Sequence, residues 1–253
     1  MKIFGFRSAV FAVAMLFALG GCGNSGGSKT ELSVLKVGTN AEFPPFEFVD
    51  DKNQITGFDI DLLNEFSRRS GVKVEVQNMN FDAIIPALKF GKIDAAISGM
   101  SATPQRREAV DFSNAYYSTE NLFLRRKGDE RLKSPADLDG KSVAVLLGSV
   151  QELAAKEIKG AVLLPADSVT ANVQALKAGR ADAVVIDSSI GYGFIKQNDD
   201  IEAFFTAPDG SDGFAVAFDK GKFGELINSF NAFLEEVKKD GTYDKLLEKY
   251  NLK

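Results

Sequence analysis

An apolar run ends in Ser98-Gly99-Met100-Ser101 and is followed by Ala102-Thr103-Pro104-Gln105-Arg106. Thr103 has the side chain of a helix cap, and Pro104 has the fixed φ of a first helical position. Amide N–H groups left free at such a turn favour an anion. Arg106, one turn in, carries the forked guanidinium that grips a carboxylate with two parallel hydrogen bonds. An arginine beside another, Arg107, is equally at home in solvent on a helix surface. A second turn of this kind, Gly148-Ser149-Val150-Gln151, follows the apolar run Val143 to Leu147. It offers N–H donors. It is not a nucleophile elbow, because its spacing is not G-x-S-x-G and no histidine exists to activate Ser149. Asp187 closes the run Ala183 to Ile186, and is either the cap of a helix starting near Ser189 or a partner for a cation. Asn40, Glu42, Phe43, Pro44, Pro45 and Phe46 form a loop stiffened by its prolines. Phe43 and Phe81 read either as walls of a ligand pocket or as core.

The rest of the composition narrows the chemistry. The 253 residues include no histidine and one cysteine, Cys22. That excludes Ser-His-Asp and Cys-His catalysis, His-ligated zinc, iron–sulfur clusters and an internal disulfide. No cofactor and no metal are expected. Asp plus Glu total 35 against 30 for Lys plus Arg, a formal net charge of −5, so a basic face for nucleic acid is not expected. With 45% hydrophobic residues and 21 Phe, the chain can bury one sizeable domain or two small ones.

Lys2 and Arg7 precede the unbroken apolar run Ala9 to Leu19, about half the roughly 20 residues that a membrane-spanning helix needs. This is the pattern of a secretory signal. Leu19-Gly20-Gly21-Cys22 resembles a bacterial lipobox, in which cleavage before the cysteine leaves a thiol that carries diacylglycerol. Residues 1–21 are therefore expected to be removed, leaving 232 residues at −7 because Lys2 and Arg7 are lost. Residues 22–33, with Gly23 to Lys29 polar and glycine-rich, form a flexible tether. The expected location is the cell envelope, outside the cytoplasm, with the body lipid-anchored to a membrane.

The elements that must position these residues alternate. Leu35-Lys36-Val37 reads as a strand. Phe58, Leu62 and Phe66 recur at i, i+4 and i+8, which predicts an amphipathic helix over 58–70 stopped by Gly71. A strand at 72–76, a helix at 81–90 and a strand at 95–97 follow. The rhythm returns with a strand at 142–147, a helix near 150–158, a strand at 161–164, a helix at 168–178 and a strand at 182–186. Residues 222–250 read as two helices divided near Asp240-Gly241. Such alternation predicts an α/β fold with mainly parallel sheets. Residues 87–99, ALKFGKIDAAISG, are echoed by residues 175–187, ALKAGRADAVVID. Either a common helix–Gly–strand turn recurs by chance, or two βαβ units lie in two lobes. In the second case Gly99 and Asp187 end equivalent strands, where ligands of open α/β sheets bind.

The stretch Gly38 to Leu63, GTNAEFPPFEFVDDKNQITGFDIDLL, resembles the opening of bacterial extracellular solute-binding proteins of family 3, the amino-acid receptors of ABC importers. Gly57-Phe58-Asp59-Ile60-Asp61-Leu62 is similar to the family signature. SGMSATPQRREAVDFS (98–113) resembles its carboxylate-binding stretch, ADAVVID its ammonium-binding stretch, and GTYDKLLEKY (241–250) its usual ending. The resemblance implies a two-lobed, type II periplasmic-binding-protein architecture with the ligand in the interlobe cleft. Lobe 1 is then discontinuous, residues 34–119 and 210–253, and lobe 2 spans residues 120–209. The crossings fall near 118–122 and 208–213.

The resemblance also implies roles. Arg106 clamps the α-carboxylate, helped by the amides of Ser101 and Val150. Asp187 neutralises the α-ammonium, joined by the Ser101 hydroxyl and the Gly99 carbonyl. Met100, Leu146 and Ser149 complete the expected contacts. Basic-amino-acid receptors of this family often carry an acid where this chain has Asn40. Glu42 either supplies the missing charge or faces solvent, and Gln151 is placed to bond a guanidinium or an amide. The lysine usual near Leu146 in glutamine receptors is missing. The implied function is the binding component of an ABC importer for free arginine or lysine, with glutamine or histidine as alternatives. Its partners are the permease subunits and, through Cys22, a membrane; a monomer and no enzymatic activity are expected. A cyclohexadienyl dehydratase-like enzyme on the same fold is the more distant alternative.

Overall fold

The computed structural model describes residues 34–252. The signal peptide, Cys22 and the tether lie outside the described residues. The chain builds two five-stranded sheets and one small sheet. The first half runs β1 (Leu35–Thr39), a small antiparallel sheet of β2 (Glu42–Phe43), β3 (Glu47–Val49) and β4 (Ile55–Thr56), then α1 (Phe58–Ser70), β5 (Val74–Asn78), α2 (Phe81–Lys89), β6 (Ala95–Ala96), α3 (Pro104–Ala109) and β7 (Val110–Phe112). After β8 (Glu120–Arg126) and a 3-10 turn at Pro135–Leu138, the second half runs β9 (Ser142–Leu146), α4 (Val150–Lys156), β10 (Val162–Ala166), α5 (Val169–Lys177), β11 (Ala183–Asp187), α6 (Ser188–Gln197) and β12 (Ile201–Pro208). β13 (Ala217–Asp219), α7 (Gly224–Lys239) and α8 (Thr242–Lys249) close the chain.

The sheet orders are β5-β1-β6-β13-β7 and β10-β9-β11-β8-β12. They superimpose as patterns, and the repeat in the sequence is the visible part of this equivalence. α2–β6 and α5–β11, which carry the echoed segments, hold the same place in each, and β6 and β11 are the two central strands. In each sheet the fourth strand runs antiparallel to both neighbours. The other four share one direction, so each sheet is mainly parallel with one reversed strand. The reversed strands, β13 and β8, come from the other side of the two crossings. The chain passes from the first sheet to the second between Phe112 and Glu120 and returns between Pro208 and Ala217.

The helix periodicities place the core. α1 buries Phe58, Leu62 and Phe66 and stops at Gly71, whose left-handed backbone donates to Ser67. Phe66 meets Phe230 and Phe233 of α7 at ring-centre distances of 5.1 and 5.4 Å. On the opposite face of the first sheet, Ile84 and Leu88 of α2 pack with Ile93, Met100 and Val110. β5 begins at Val74, two residues later than the alternation from Val72 predicts, where its parallel register with Leu35 of β1 starts. β10 likewise is Val162–Ala166, set by its register on β9. Among the described residues, no helix is long and apolar enough to cross a membrane.

Candidate functional site

Loops at the carboxyl ends of β1, β6, β9 and β11 line a cavity of about 340 Å³, counted with the solvent open at its mouth. Asn40, Phe43, Phe81, Gly99, Ser101, Arg106, Leu146, Ser149, Val150, Gln151 and Asp187 all line it. The sequence therefore names most of its wall.

Arg106 arrives on α3. Thr103 caps that helix, its hydroxyl accepting the Arg106 N–H at 3.1 Å, with Pro104 at the first position. The side chain is 8% exposed. Its guanidinium donates to the carbonyl of Ser101 at 2.9 Å and to the carbonyl of Gly148 at 3.0 Å, and lies 5.3 Å from the Phe81 ring centre. Burial pulls it down to about 10, partly opposed by the Asp209 carboxylate. Both acceptors are neutral carbonyls, so among the described residues the cation is buried without an anion in contact. Taken from water in this way, it favours a carboxylate partner.

Asp187 presents the opposite situation. It ends β11 and caps α6, accepting the Ser189 N–H at 2.9 Å, the Ser189 hydroxyl at 2.5 Å and the Thr119 hydroxyl. It is 4% exposed, and it pairs with no cation among the described residues. Burial pushes it up to about 6 against the pull of its hydrogen bonds. The helix-cap reading of Asp187 holds, and the same residue lines the cavity.

Donors and acceptors surround these two charges. Val150 and Gln151 open α4, where backbone N–H groups have no intrahelical acceptor; Ser149 caps the Glu152 N–H at 3.1 Å. The Ser101 hydroxyl donates to Asp209 at 2.8 Å, which leaves its oxygen free to accept. Gly99 takes φ +46°, and a Cβ there would stand 2.7 Å from the Phe43 ring. Only glycine lets the backbone pass so close to that ring. Gly148, at φ +76°, meets the backbone of Asp82 just as closely, with a Cβ-to-Cα distance of 3.0 Å.

Two residues of the sequence reading do not line the cavity, Glu42 taking the solvent-facing alternative left open for it. Glu42 is exposed and does not line the cavity, because neighbours along β2 point to opposite faces and Phe43 takes the inner one. Met100 is fully buried on the far side, in the core with Ile84 and Ala215. In their place come Ser98 and Glu47. Glu47 is fully buried, and its Oε1 accepts the Ser98 hydroxyl at 2.9 Å. That hydroxyl also accepts the Asn40 N–H at 2.9 Å. The Asn40 amide is fixed by donating to the Met79 carbonyl at 3.1 Å. Beside Glu47 sits Asp59 of α1, also fully buried, which accepts the Gly99 N–H at 2.9 Å and the Tyr116 hydroxyl at 2.7 Å. Burial and the Asp59 charge hold the Glu47 carboxyl well above its usual range, and burial pushes Asp59 up to about 6. One oxygen of each carboxyl lacks a donor, a situation that one shared proton relieves. Only its position just after the apolar Phe46 hints at Glu47 in the sequence; its partners Ser98 and Asp59 are remote.

The charged residues lining the cavity are thus Glu47, Arg106 and Asp187. Among the described residues, no cluster of His, Cys, Asp and Glu could hold a metal ion.

Residues 35–253 match the model of the bacterial extracellular solute-binding proteins, family 3. A probable histidine-binding protein of Campylobacter jejuni is 43% identical, with 86% of this chain and 85% of that protein covered. An arginine-binding extracellular protein of Bacillus subtilis is 37% identical over 94% of both chains. Among solved structures, an ancestral arginine-binding protein bound to arginine is 42% identical with a TM-score of 0.82, covering 87% of this chain and 99% of that one.

Proposed function

The chain belongs to the bacterial extracellular solute-binding proteins of family 3, and from that premise we propose that it captures a cationic amino acid, arginine before lysine, for an ABC importer. It binds its solute and does not transform it. The two halves act as lobes, residues 34–119 with 210–253 and residues 120–209, hinged at the two crossings.

The observation that carries the reading is the third charge. An amino-acid zwitterion brings one carboxylate for Arg106 and one ammonium for Asp187. Glu47 remains. Burial and Asp59 hold the Glu47 carboxyl well above its usual range, and a ligand with a positive side chain supplies the cation that favours its ionised form. In this pose the α-carboxylate sits between the Arg106 fork and the N–H groups of Ser101 and Val150. The ammonium donates to Asp187, the Ser101 hydroxyl and the Gly99 carbonyl. The aliphatic stem runs between Phe43 and Phe81, and the side-chain cation meets Glu47, Ser98 and Asn40. The relatives named for arginine support this choice. Arg106 comes from one half and Asp187 from the other, so the ligand favours the closed state. Cys22 holds the body at the envelope through its lipid.

The test is a calorimetric titration of protein unfolded and refolded to remove carried-over ligand. Arginine and lysine are expected to bind and to raise the melting temperature, by about 2.7 kcal/mol of stability at a hundredfold excess over Kd. A folded protein that ignores both refutes the reading.

A further inference from the structure

Next to the cavity lies a second, smaller one, and the two share Phe43, Leu146, Gln151 and Asp187. The far wall of the second belongs to α5 and β11, through Val169, Asn172 and Val184. Asn172 is 3% exposed and Gln151 is 8% exposed. Neither side-chain amide has a hydrogen-bond partner among the described residues. Their polar atoms are also not among those sealed inside the protein, so they face the empty space. Burying an amide without a partner is unfavourable. Two such amides lining one chamber indicate that something polar completes them.

The chamber's chemistry differs from that around Glu47. Its only charged wall residue is Asp187, which the ligand's ammonium occupies in the pose above. The other walls are apolar or neutral. Each carboxamide offers two N–H donors and one carbonyl acceptor. That set complements a group that also carries both, without charge. A guanidinium, all donor and positive, gains more from the Glu47 branch.

We propose that this second chamber is a side-chain subsite for amino acids ending in a neutral carboxamide or ureido group, read by Asn172 with Gln151. It rests on the zwitterion clamp of Arg106 and Asp187 proposed above. The clamp stays fixed while the side chain takes one of two branches: toward Glu47 when cationic, toward Asn172 when neutral.

The experiment titrates arginine, glutamine and citrulline into the ligand-stripped protein and into its Asn172→Leu variant. The wild type is expected to bind all three. Asn172→Leu fills the chamber and removes its amide, so glutamine and citrulline weaken by at least about tenfold while arginine stays within about threefold. Retained arginine binding shows that the variant is folded. If the leucine does not fit, Asn172→Ala gives the same ranking with a smaller loss. The proposal is overturned if the wild type binds arginine but neither neutral ligand, or if the variants weaken all three alike or none. Those results leave the cationic reading standing. Failure of the wild type to bind any of the three overturns both.

Discussion

Glu47→Gln isolates the charge proposed above to select the ligand. The substitution keeps the shape of a fully buried side chain and its acceptor for the Ser98 hydroxyl, which lies 2.9 Å away. It removes the carboxylate. A hydrogen bond to a charged group contributes about 1.5–3 kcal/mol, so the arginine Kd should rise roughly 10- to 150-fold at 1.4 kcal/mol per decade. A neutral amino acid should change by less than about twofold. The proton adds a second signature. Glu47 is held well above its usual range by burial and by Asp59, so below that raised value a bound cation must displace a proton. Arginine affinity should then rise with pH, by at most about tenfold per unit, and level off once Glu47 ionises in the empty site. Asp187, pushed up to about 6, weakens every zwitterion below that pH, so the readout is the difference between arginine and a neutral ligand. Calorimetry in two buffers of different ionisation heat counts the released protons. The variant should lose this difference. Arginine affinity within twofold of wild type, with the pH slope intact, would refute the reasoning.

Three further outcomes follow from the same geometry. Arg106→Ala and Asp187→Asn each leave one ligand charge buried and unpaired, at about 2–5 kcal/mol, so binding of every amino acid should weaken at least roughly 30-fold by calorimetry. Gly99→Ala combines a left-handed φ of +46° with a Cβ at 2.7 Å from the Phe43 ring; it should lower stability by about 1–3 kcal/mol in urea unfolding and weaken the ligand whose stem Phe43 covers. Asp59 keeps its proton in the folded protein up to about 6 against an ordinary 3.8, so its contribution to stability is full below 3.8 and lost as pH rises through about 6. Glu65, Asp129 and Asp240, held down to about 2 by their hydrogen bonds to arginine or a neighbouring threonine, act below that window. Asp187, also pushed up to about 6, and Glu47 act in the same direction as Asp59, so the ligand-free protein should lose about 1–3 kcal/mol between pH 5 and pH 8, and Asp59→Asn should reduce that slope without abolishing it.

What the sequence displays and what it hides divide along physical lines. α1 is legible because Phe58, Leu62 and Phe66 repeat at the helical period. The equivalence of β6 and β11 is legible because each follows the same helix–Gly–strand turn. The reversed strands β8 and β13 are not, because each is placed by partners far along the chain. Arg106 and Asp187 stand out because a cap and a charge sit at strand ends. Glu47 looks like an ordinary hairpin acid until Ser98 and Asp59 surround it, and the period of 2 along β2 alone would turn Glu42 outward. Asn172 sits among small and polar residues of α5, and nothing local separates it from Thr170 or Gln174 on the solvent side.

Closure is where the site and the fold meet. Arg106 leaves the first half and donates to the Gly148 carbonyl in the second. In this arrangement Arg106 and Asp187 are both buried at the cavity, and neither is paired with an opposite charge among the described residues. A closed empty cleft is consequently disfavoured, and the zwitterion that satisfies both ends reverses the balance. Moving a two-state equilibrium from 1:99 to 99:1 takes about 5.5 kcal/mol of differential binding. Two charge-assisted contacts at about 1.5–3 kcal/mol each approach that figure. In the proposed pose the zwitterion closes the cleft, and the side chain chooses among ligands that can all close it. Small-angle scattering separates the two roles. With saturating arginine, the wild type should become more compact and Glu47→Gln should compact equally. Arg106→Ala should keep its ligand-free dimensions even where residual binding is detected. Compaction of Arg106→Ala to the wild-type extent would mean that closure is driven by something other than the carboxylate clamp.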